Sequence, residues 1–157
     1  MTKTIQRSIE IDCGPDRVWA VLTELPAHSD WNPFIREITG EVAVGSRLRV
    51  RITPPEARAM TFKPVVTAAT PGQEFAWFGS LGMRGIFDGA HSFVLHDLGG
   101  GRTRLTQSET FTGLLVPLFG GGLSATAEGF DQMNRALKAR CETGAGSADS
   151  DVPDPHG

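Results

Sequence analysis

Near the C-terminal end of the chain, residues 116–141 repeat apolar positions every three or four residues, with charged residues on the opposite side. This spacing is typical of an amphipathic helix that buries one face. Most of the preceding chain alternates with the period of a β-strand, so the pattern predicts one long helix that covers a sheet. The apolar stripe consists of Phe119, Leu123, Ala127, Phe130, Met133 or Asn134, Leu137 and Cys141.

Seven segments before this helix have the two-residue alternation of β-strands. Two short helices are predicted after the first strand, one opened by Pro15 and one within residues 27–34. Pro64 lies inside the fourth segment and predicts an edge position or a bulge, because proline cannot donate a sheet hydrogen bond. The predicted fold class is α+β, with a seven-stranded antiparallel sheet and a long C-terminal helix laid across it. The strand segments are residues 4–12, 35–41, 46–53, 61–70, 73–80, 86–97 and 102–111.

Composition and charge indicate a single globular domain. The chain has 157 residues, of which 39% are hydrophobic and 21% are charged. We expect residues 1–142 to form this domain and residues 143–157 to form a disordered tail, because the tail is poor in apolar residues. The formal net charge of −3 matches three aspartates in that tail. The remaining body is neutral and lacks the basic face of a nucleic-acid-binding protein.

The sequence predicts a cytoplasmic protein without an integral membrane segment. No apolar run approaches the roughly 20 residues that a membrane-spanning helix needs. The first twelve residues alternate in polarity and lack the apolar region of a signal peptide. Two cysteines, Cys13 and Cys141, do not make a disulfide scaffold, and we expect both to be reduced. The sequence is also compatible with a homodimer.

The predicted hairpin of residues 86–97 and 102–111 carries the candidate chemistry. Its turn length predicts strand pairs whose residue numbers sum to 198 or 200, which places His91 opposite Gln107 or Glu109. Buried polar groups are costly unless they form hydrogen bonds, so these side chains satisfy one another, hold water or meet a ligand. His91 and Glu109 are also the candidate catalytic acid or base. The interpretation that we favour from the sequence is a self-satisfied polar cluster, or residues near the open rim, without any functional role.

Six short motifs follow one another in an order that is more specific than any one of them. They are Pro15 with Val18-Trp19, Trp31-Asn32-Pro33-Phe34-Ile35, Pro71-Gly72 before Phe75-Ala76-Trp77, residues 87–93, residues 103–109, and Gly129-Phe130 with Met133-Asn134. Together they resemble the START-like helix-grip superfamily, in its polyketide cyclase/dehydrase-like (SRPBCC) branch, over residues 3–142. The resemblance implies a sheet curled around the long helix, with a cavity between them. Its members bind lipids, hormones or polyketides, and some cyclise or dehydrate.

The predicted ligand-binding residues combine aromatic positions with the polar hairpin residues. Ligand pockets are lined mainly by apolar groups with few polar ones, but ordinary cores look the same, and the resemblance favours a pocket. We expect no cofactor and no metal, since His91 and His96 point to opposite faces of their strand and no cysteine pair has ligand spacing. The predicted site residues are Trp31, Phe34, Phe62, Trp77, Phe87, His91, Phe93, Gln107, Glu109, Phe111, Phe130, Met133 and Asn134.

Three functions stay open at this level. The first is binding of a small hydrophobic, lipid- or polyketide-like molecule between sheet and helix. The second is a cyclase/aromatase- or dehydratase-like enzyme, and the third is a chaperone-activator-like protein-interaction module. The first two predict a cavity that contains His91, Gln107 or Glu109, whereas the third predicts a filled core and an exposed apolar patch. The glycine-rich residues 112–124 predict a mobile lid, a helix start close to a strand, or a membrane-touching loop.

Overall fold

The computed structural model describes residues 1–145, apart from the side chains at positions 119–121, 144 and 145. Within this range, short 3-10 helices at Leu25–Ala27 and Val116–Phe119 directly precede the second and third α-helices. The elements in chain order are β1 (Thr2–Ile11), α1 (Pro15–Thr23), α2 (His28–Trp31), β2 (Ile35–Thr39), β3 (Arg49–Ile52), β4 (Met60–Phe62), β5 (Val65–Thr70), β6 (Glu74–Ser80), β7 (Asp88–Gly99), β8 (Arg102–Thr112) and α3 (Gly120–Ala145).

The strands form two antiparallel sheets, one in the order β1-β8-β7-β6-β5 and one in the order β2-β3-β4. The prediction of an antiparallel α+β fold with a long C-terminal helix is confirmed, but the prediction of one seven-stranded sheet is wrong. The segment predicted as a single strand over residues 61–70 divides into β4 and β5 at Lys63-Pro64. Proline has no N–H for a sheet ladder, and the carbonyl oxygen of Pro64 instead accepts a hydrogen bond from the Leu48 backbone N–H at 2.8 Å.

The register of the central hairpin follows from its turn. His91 in β7 pairs with Glu109 in β8, and Phe93 pairs with Gln107, so the numbers of paired residues sum to 200. This is one of the two predicted registers. The pairing register shifts between Asp97 and Gly99, next to the glycine-rich turn that joins the two strands. The hairpin therefore turns alternate side chains of both strands toward α3.

Helix α3 buries the face that the apolar stripe predicts, with Phe130, Met133, Leu137 and Cys141 all buried. The α-helix begins at Gly120 rather than at the predicted residue 116, because the first turn is a 3-10 helix. It ends at Ala145, beyond the predicted domain boundary at residue 142. Residues 146–157 of the predicted tail and the side chain of Phe119 lie outside the described part of the chain. No helix within the described range is long and apolar enough to span a membrane.

A buried polar network shapes the turn between α2 and β2. The side-chain oxygen of Asn32 accepts hydrogen bonds from the backbone N–H groups of Phe34 and Ile35, each at 2.9 Å. Its amide nitrogen donates to His28 Nδ1 at 3.0 Å, and His28 Nε2 donates to the Leu22 carbonyl at 2.7 Å. Burial lowers the pKa of His28, although the hydrogen bond to Leu22 opposes that shift. These bonds fix the chain direction that brings Phe34 against Phe130 of α3, with ring centroids 5.6 Å apart.

The two cysteines lie where α1 and the end of α3 approach each other. Both are buried and unpaired, and the Cys13 thiol donates a hydrogen bond to the Cys141 carbonyl at 3.1 Å. Burial raises the pKa of both thiols, that of Cys141 to about 12. Each thiol therefore remains protonated at neutral pH and acts as a small apolar side chain in the core.

Candidate functional site

A cavity of about 230 Å³ lies between the two sheets and the first turns of α3. Its wall is mostly apolar. The larger sheet contributes Trp77, Gly79, Ser80, Gly89, His91, Glu109 and Phe111, together with Leu81 just after β6 and Phe87 just before β7. The other walls come from Phe34, Ile35, Ile52, Pro54, Ala57, Arg58, Met60 and Phe62, and from Gly122, Leu123 and Thr126 of α3.

Three polar side chains of the hairpin form one hydrogen-bonded chain, which we call the polar relay: Gln107, His91 and Glu109. His91 Nδ1 lies 3.1 Å from Glu109 Oε2, and the Gln107 amide nitrogen lies 3.1 Å from His91 Nε2. When Glu109 is ionised its carboxylate can only accept, which assigns a proton to Nδ1 of His91 and leaves Nε2 to accept from the Gln107 amide. The predicted cross-strand meeting of His91 with Glu109 and Gln107 is therefore observed, and both ring nitrogens of His91 are occupied.

Aromatic rings hold the imidazole of His91 from three sides. The Trp77 ring stacks on it at 4.8 Å with an interplanar angle of 17°. Phe93 and Phe130 contact it at centroid distances of 4.7 and 5.1 Å. The ring cannot rotate without displacing these neighbours, so the relay has one orientation.

Glu109 is the member of the relay that opens to the cavity. Its side chain is 14% exposed, whereas that of His91 is 3% exposed. The second carboxylate oxygen, Oε1, has no hydrogen-bond partner in the described part of the chain, and it retains accessible surface. Gly89 makes room for this oxygen, because a Cβ at that position would lie 2.6 Å from it. The carboxylate therefore presents one unused acceptor to an otherwise apolar space.

Of the predicted site residues, seven line the cavity: Phe34, Phe62, Trp77, Phe87, His91, Glu109 and Phe111. Behind that wall, Phe93, Gln107 and Phe130 contact His91, and the Gln107 amide lies 3.6 Å from the sulfur of Met133. Trp31 packs on His28, at 4.8 Å between ring centroids, and the Asn134 amide donates to the Arg7 carbonyl at 3.5 Å. Neither Trp31 nor Asn134 contributes to the cavity wall.

Sequence reasoning missed the part of the wall that comes from the connection between β3 and β4. Pro54, Ala57 and Arg58 line the cavity, although no periodicity in the sequence assigns a face to a loop. It also missed Gly79, Gly89 and Gly122, which line the cavity and leave space in its wall because glycine has no side chain. No cluster of three or more His, Cys, Asp or Glu side chains suited to a metal ion occurs in the described residues.

Two hydrogen-bonded loops beside the cavity expose large apolar side chains. Met83, Leu114 and Leu118 are 76%, 80% and 77% exposed, and we call them the apolar tip. The Leu114 backbone N–H donates to the Gly85 carbonyl at 3.2 Å, which ties the loop after β6 to the loop after β8. Leu81 and Phe87, which flank the first loop, line the cavity.

A family profile described as "Polyketide cyclase / dehydrase and lipid transport" matches residues 2–142. The chain belongs to this family. The resemblance read from the sequence motifs is thereby confirmed. A comparison with curated proteins gives no match.

Solved structures place the chain in the helix-grip fold of this family. The Zhui aromatase/cyclase from Streptomyces sp. R1128 is 14% identical, with a TM-score of 0.77 over 95% of this chain and 99% of that one. A START superfamily protein from Mycobacterium smegmatis is 19% identical, with a TM-score of 0.70 over 89% and 97%. The di-domain aromatase/cyclase StfQ from the steffimycin biosynthetic pathway is 16% identical, with a TM-score of 0.69 over 93% and 52%. At these identities the likeness shows the fold alone.

Proposed function

We propose that this family member binds one compact, mainly apolar molecule in the cavity between the sheets and α3. The cavity itself carries the proposal, because its wall combines many aromatic and aliphatic side chains with few polar ones. Its volume of about 230 Å³ is below the roughly 300–1,000 Å³ of sites for drug-sized ligands. We therefore expect a ligand with about two fused rings rather than a fully enclosed long acyl chain.

The family and its solved members support this proposal at the level of fold. The family description names polyketide cyclases, dehydrases and lipid transport, and lipids are largely apolar molecules. The Zhui and StfQ proteins are described as aromatase/cyclases. Four further statements stay predictions: a single domain over residues 1–142, a cytoplasmic location, a homodimer, and the absence of nucleic-acid partners.

A cyclase- or dehydratase-like reaction is the second candidate, and the polar relay favours it. Glu109 is placed to take a proton from a bound molecule, and His91 orients its carboxylate. The third candidate, a protein-interaction module, draws support from the apolar tip. That candidate also predicts a filled core, whereas a cavity lies beside Glu109.

The test uses 2-naphthol and 2-methoxynaphthalene, two-ring probes of the expected size, in isothermal titration calorimetry. We expect a Kd on the order of 10–100 μM for the tighter probe. Leu123→Trp fills the cavity and should abolish binding. Ser124→Trp adds the same side chain at the neighbouring exposed position, outside the cavity wall, and should leave binding unchanged. The proposal would be refuted if neither probe bound the wild-type protein, or if Leu123→Trp and Ser124→Trp bound the tighter probe equally well.

A further inference from the structure

We propose that the cavity selects apolar ring compounds that carry a hydroxyl group, which donates its hydrogen bond to Glu109 Oε1. This inference rests on the proposed binding function and names the chemical class of the ligand, a compact phenol or aromatic alcohol. It derives from which donor and acceptor atoms of the polar relay are already paired and which are not.

The inner end of the cavity offers an acceptor and no free donor from the relay. Both nitrogens of His91 are occupied by Glu109 and Gln107. The hydroxyl of Thr126, a polar group of the α3 wall, donates to the Gly122 carbonyl at 2.8 Å. Trp77 Nε1 and Gln107 Oε1 also lack partners in the described part of the chain, but both atoms have almost no accessible surface. Glu109 Oε1 is the unpartnered relay atom that retains accessible surface, and an ionised carboxylate accepts but cannot donate. A ligand carbonyl or carboxylate would meet this oxygen with repulsion, whereas a hydroxyl meets it with a hydrogen bond.

The carboxylate is held in place before a ligand arrives. Its Oε2 accepts from His91, whose ring is fixed by Trp77 and by the Gln107 amide. Its Oε1 occupies the space that the missing side chain of Gly89 leaves free. Because the acceptor needs no reorganisation, little of the hydrogen-bond energy is lost to ordering Glu109 when a ligand binds.

A purely structural role would explain only half of this arrangement. Satisfying His91 requires one carboxylate oxygen, and the second oxygen faces the cavity, where a bound apolar molecule would displace the water that solvates it at a cost in free energy. That cost is removed when a ligand supplies a donor. Leaving such an acceptor unpaired weakens binding by about 10- to 100-fold, so ligands without a donor should bind that much more weakly.

The experiment compares three probes with the same two-ring skeleton at about pH 7, where a phenol keeps its proton. They are 2-naphthol, which can donate; 2-methoxynaphthalene, which can only accept; and 2-naphthoate, which is an anion. Calorimetry should give a Kd for 2-naphthol that is about 10- to 100-fold lower than that for 2-methoxynaphthalene. A carboxylate that takes the place of the 2-naphthol hydroxyl faces Glu109, so 2-naphthoate should bind more weakly than 2-naphthol even though Arg58 also lines the cavity.

The variant Glu109→Gln converts the acceptor into an amide whose oxygen can take the His91 bond and whose NH₂ then faces the cavity. We expect the preference for 2-naphthol to fall to within about threefold or to reverse. Glu41→Gln removes the same charge from an exposed position outside the cavity wall and should keep the wild-type preference. Binding of 2-methoxynaphthalene to Glu109→Gln that is at least as tight as to the wild-type protein would show that the cavity of the variant is intact.

The outcomes separate the two proposals. If the wild-type protein binds both neutral probes equally, the hydroxyl preference is refuted while the binding function stands. A preference that persists in Glu109→Gln would likewise overturn the role of Glu109. If no probe binds the wild-type protein, the binding function fails, and the inference fails with it. The ratio of the two neutral probes in the wild-type protein decides the preference even if Glu109→Gln does not fold.

Discussion

The ring of Phe34 lies directly on the backbone of Gly129 in α3, so closely that a Cβ at residue 129 would be 2.4 Å from Phe34 Cδ2. This contact brings β2 and α3 together beside the cavity, which Phe34 also lines. Glycine at this position therefore serves close packing, since its φ is not in the left-handed region.

Gly129→Ala should destabilise the protein by about 1–2 kcal/mol. Displacing a packed ring typically costs about 1–3 kcal/mol, which exceeds the roughly 0.5–1 kcal/mol gained by replacing a helical glycine with alanine. Guanidinium chloride denaturation measures the free energy of unfolding. The matched control is Gly122→Ala in the same helix, where no atom lies within 4 Å of the added carbon. That control should raise stability by about 0.5–1 kcal/mol, and a gain in both variants would contradict the packing argument.

Gly89→Ala should disturb the polar relay more than the fold. The added methyl group meets only the end of the flexible Glu109 side chain and one ring edge, so we expect a loss of stability below about 1 kcal/mol. The carboxylate must move away from His91, which long-range ¹⁵N NMR of the imidazole nitrogens would detect. In a Glu109→Ala background the same substitution should leave the His91 spectrum unchanged. An unchanged spectrum in the wild-type background would show that Gly89 does not position Glu109.

His28 should make the protein less stable as the pH falls below about 6.5. Burial lowers its pKa in the folded state, so the unfolded chain takes up the proton first. Stability is therefore complete above the unfolded value and is lost as the pH falls from there toward the lowered folded value. The slope approaches about 1.4 kcal/mol per pH unit. Denaturation between about pH 8 and pH 5 should show that His28→Gln flattens the curve, while His96→Gln, at an exposed position, retains it.

The two cysteines should not react in the folded protein. The thiolate is the reactive form, and burial raises the pKa of both Cys13 and Cys141. With Ellman's reagent at about pH 8 we expect no colour from the native protein and two thiols after denaturation. Ala139→Cys places a thiol at an exposed position and should react at once. Rapid native labelling of either natural cysteine would show that the contact between α1 and the end of α3 opens readily.

The sequence predicts best what depends on local geometry. Turn length narrows the register of the hairpin to two choices, one of which pairs His91 with Glu109. The stripe of α3 predicts its buried face because helical spacing repeats along the whole element. Both inferences need only the chain on either side of one turn or along one helix.

What the sequence predicts poorly is depth within the fold. Asn134 lies on the buried stripe of α3, yet its amide reaches the Arg7 carbonyl of β1 instead of the cavity. Alternation tells which side chains face inward, but not which of them meets another sheet, a helix or an open space. The division of residues 61–70 into β4 and β5 shows the same limit. Pro64 marks the interruption in the sequence, but the place of β4 in the second sheet depends on its pairing with β3, which in turn pairs with β2.

Within residues 1–145, the outer strand β1 pairs with β8 alone, so that Thr2 faces Thr112 and Ile11 faces Thr103. Among the strands of this domain, β1 leaves the ribosome first and waits for a partner that emerges about 100 residues later. At a synthesis rate of about 5–20 residues per second, that delay lasts on the order of 5–20 s. Contacts this distant in sequence also slow the search for the native topology. The nascent domain thus keeps an unpaired strand edge while most of its residues are translated, and it can complete its fold only after nearly all of them have been made.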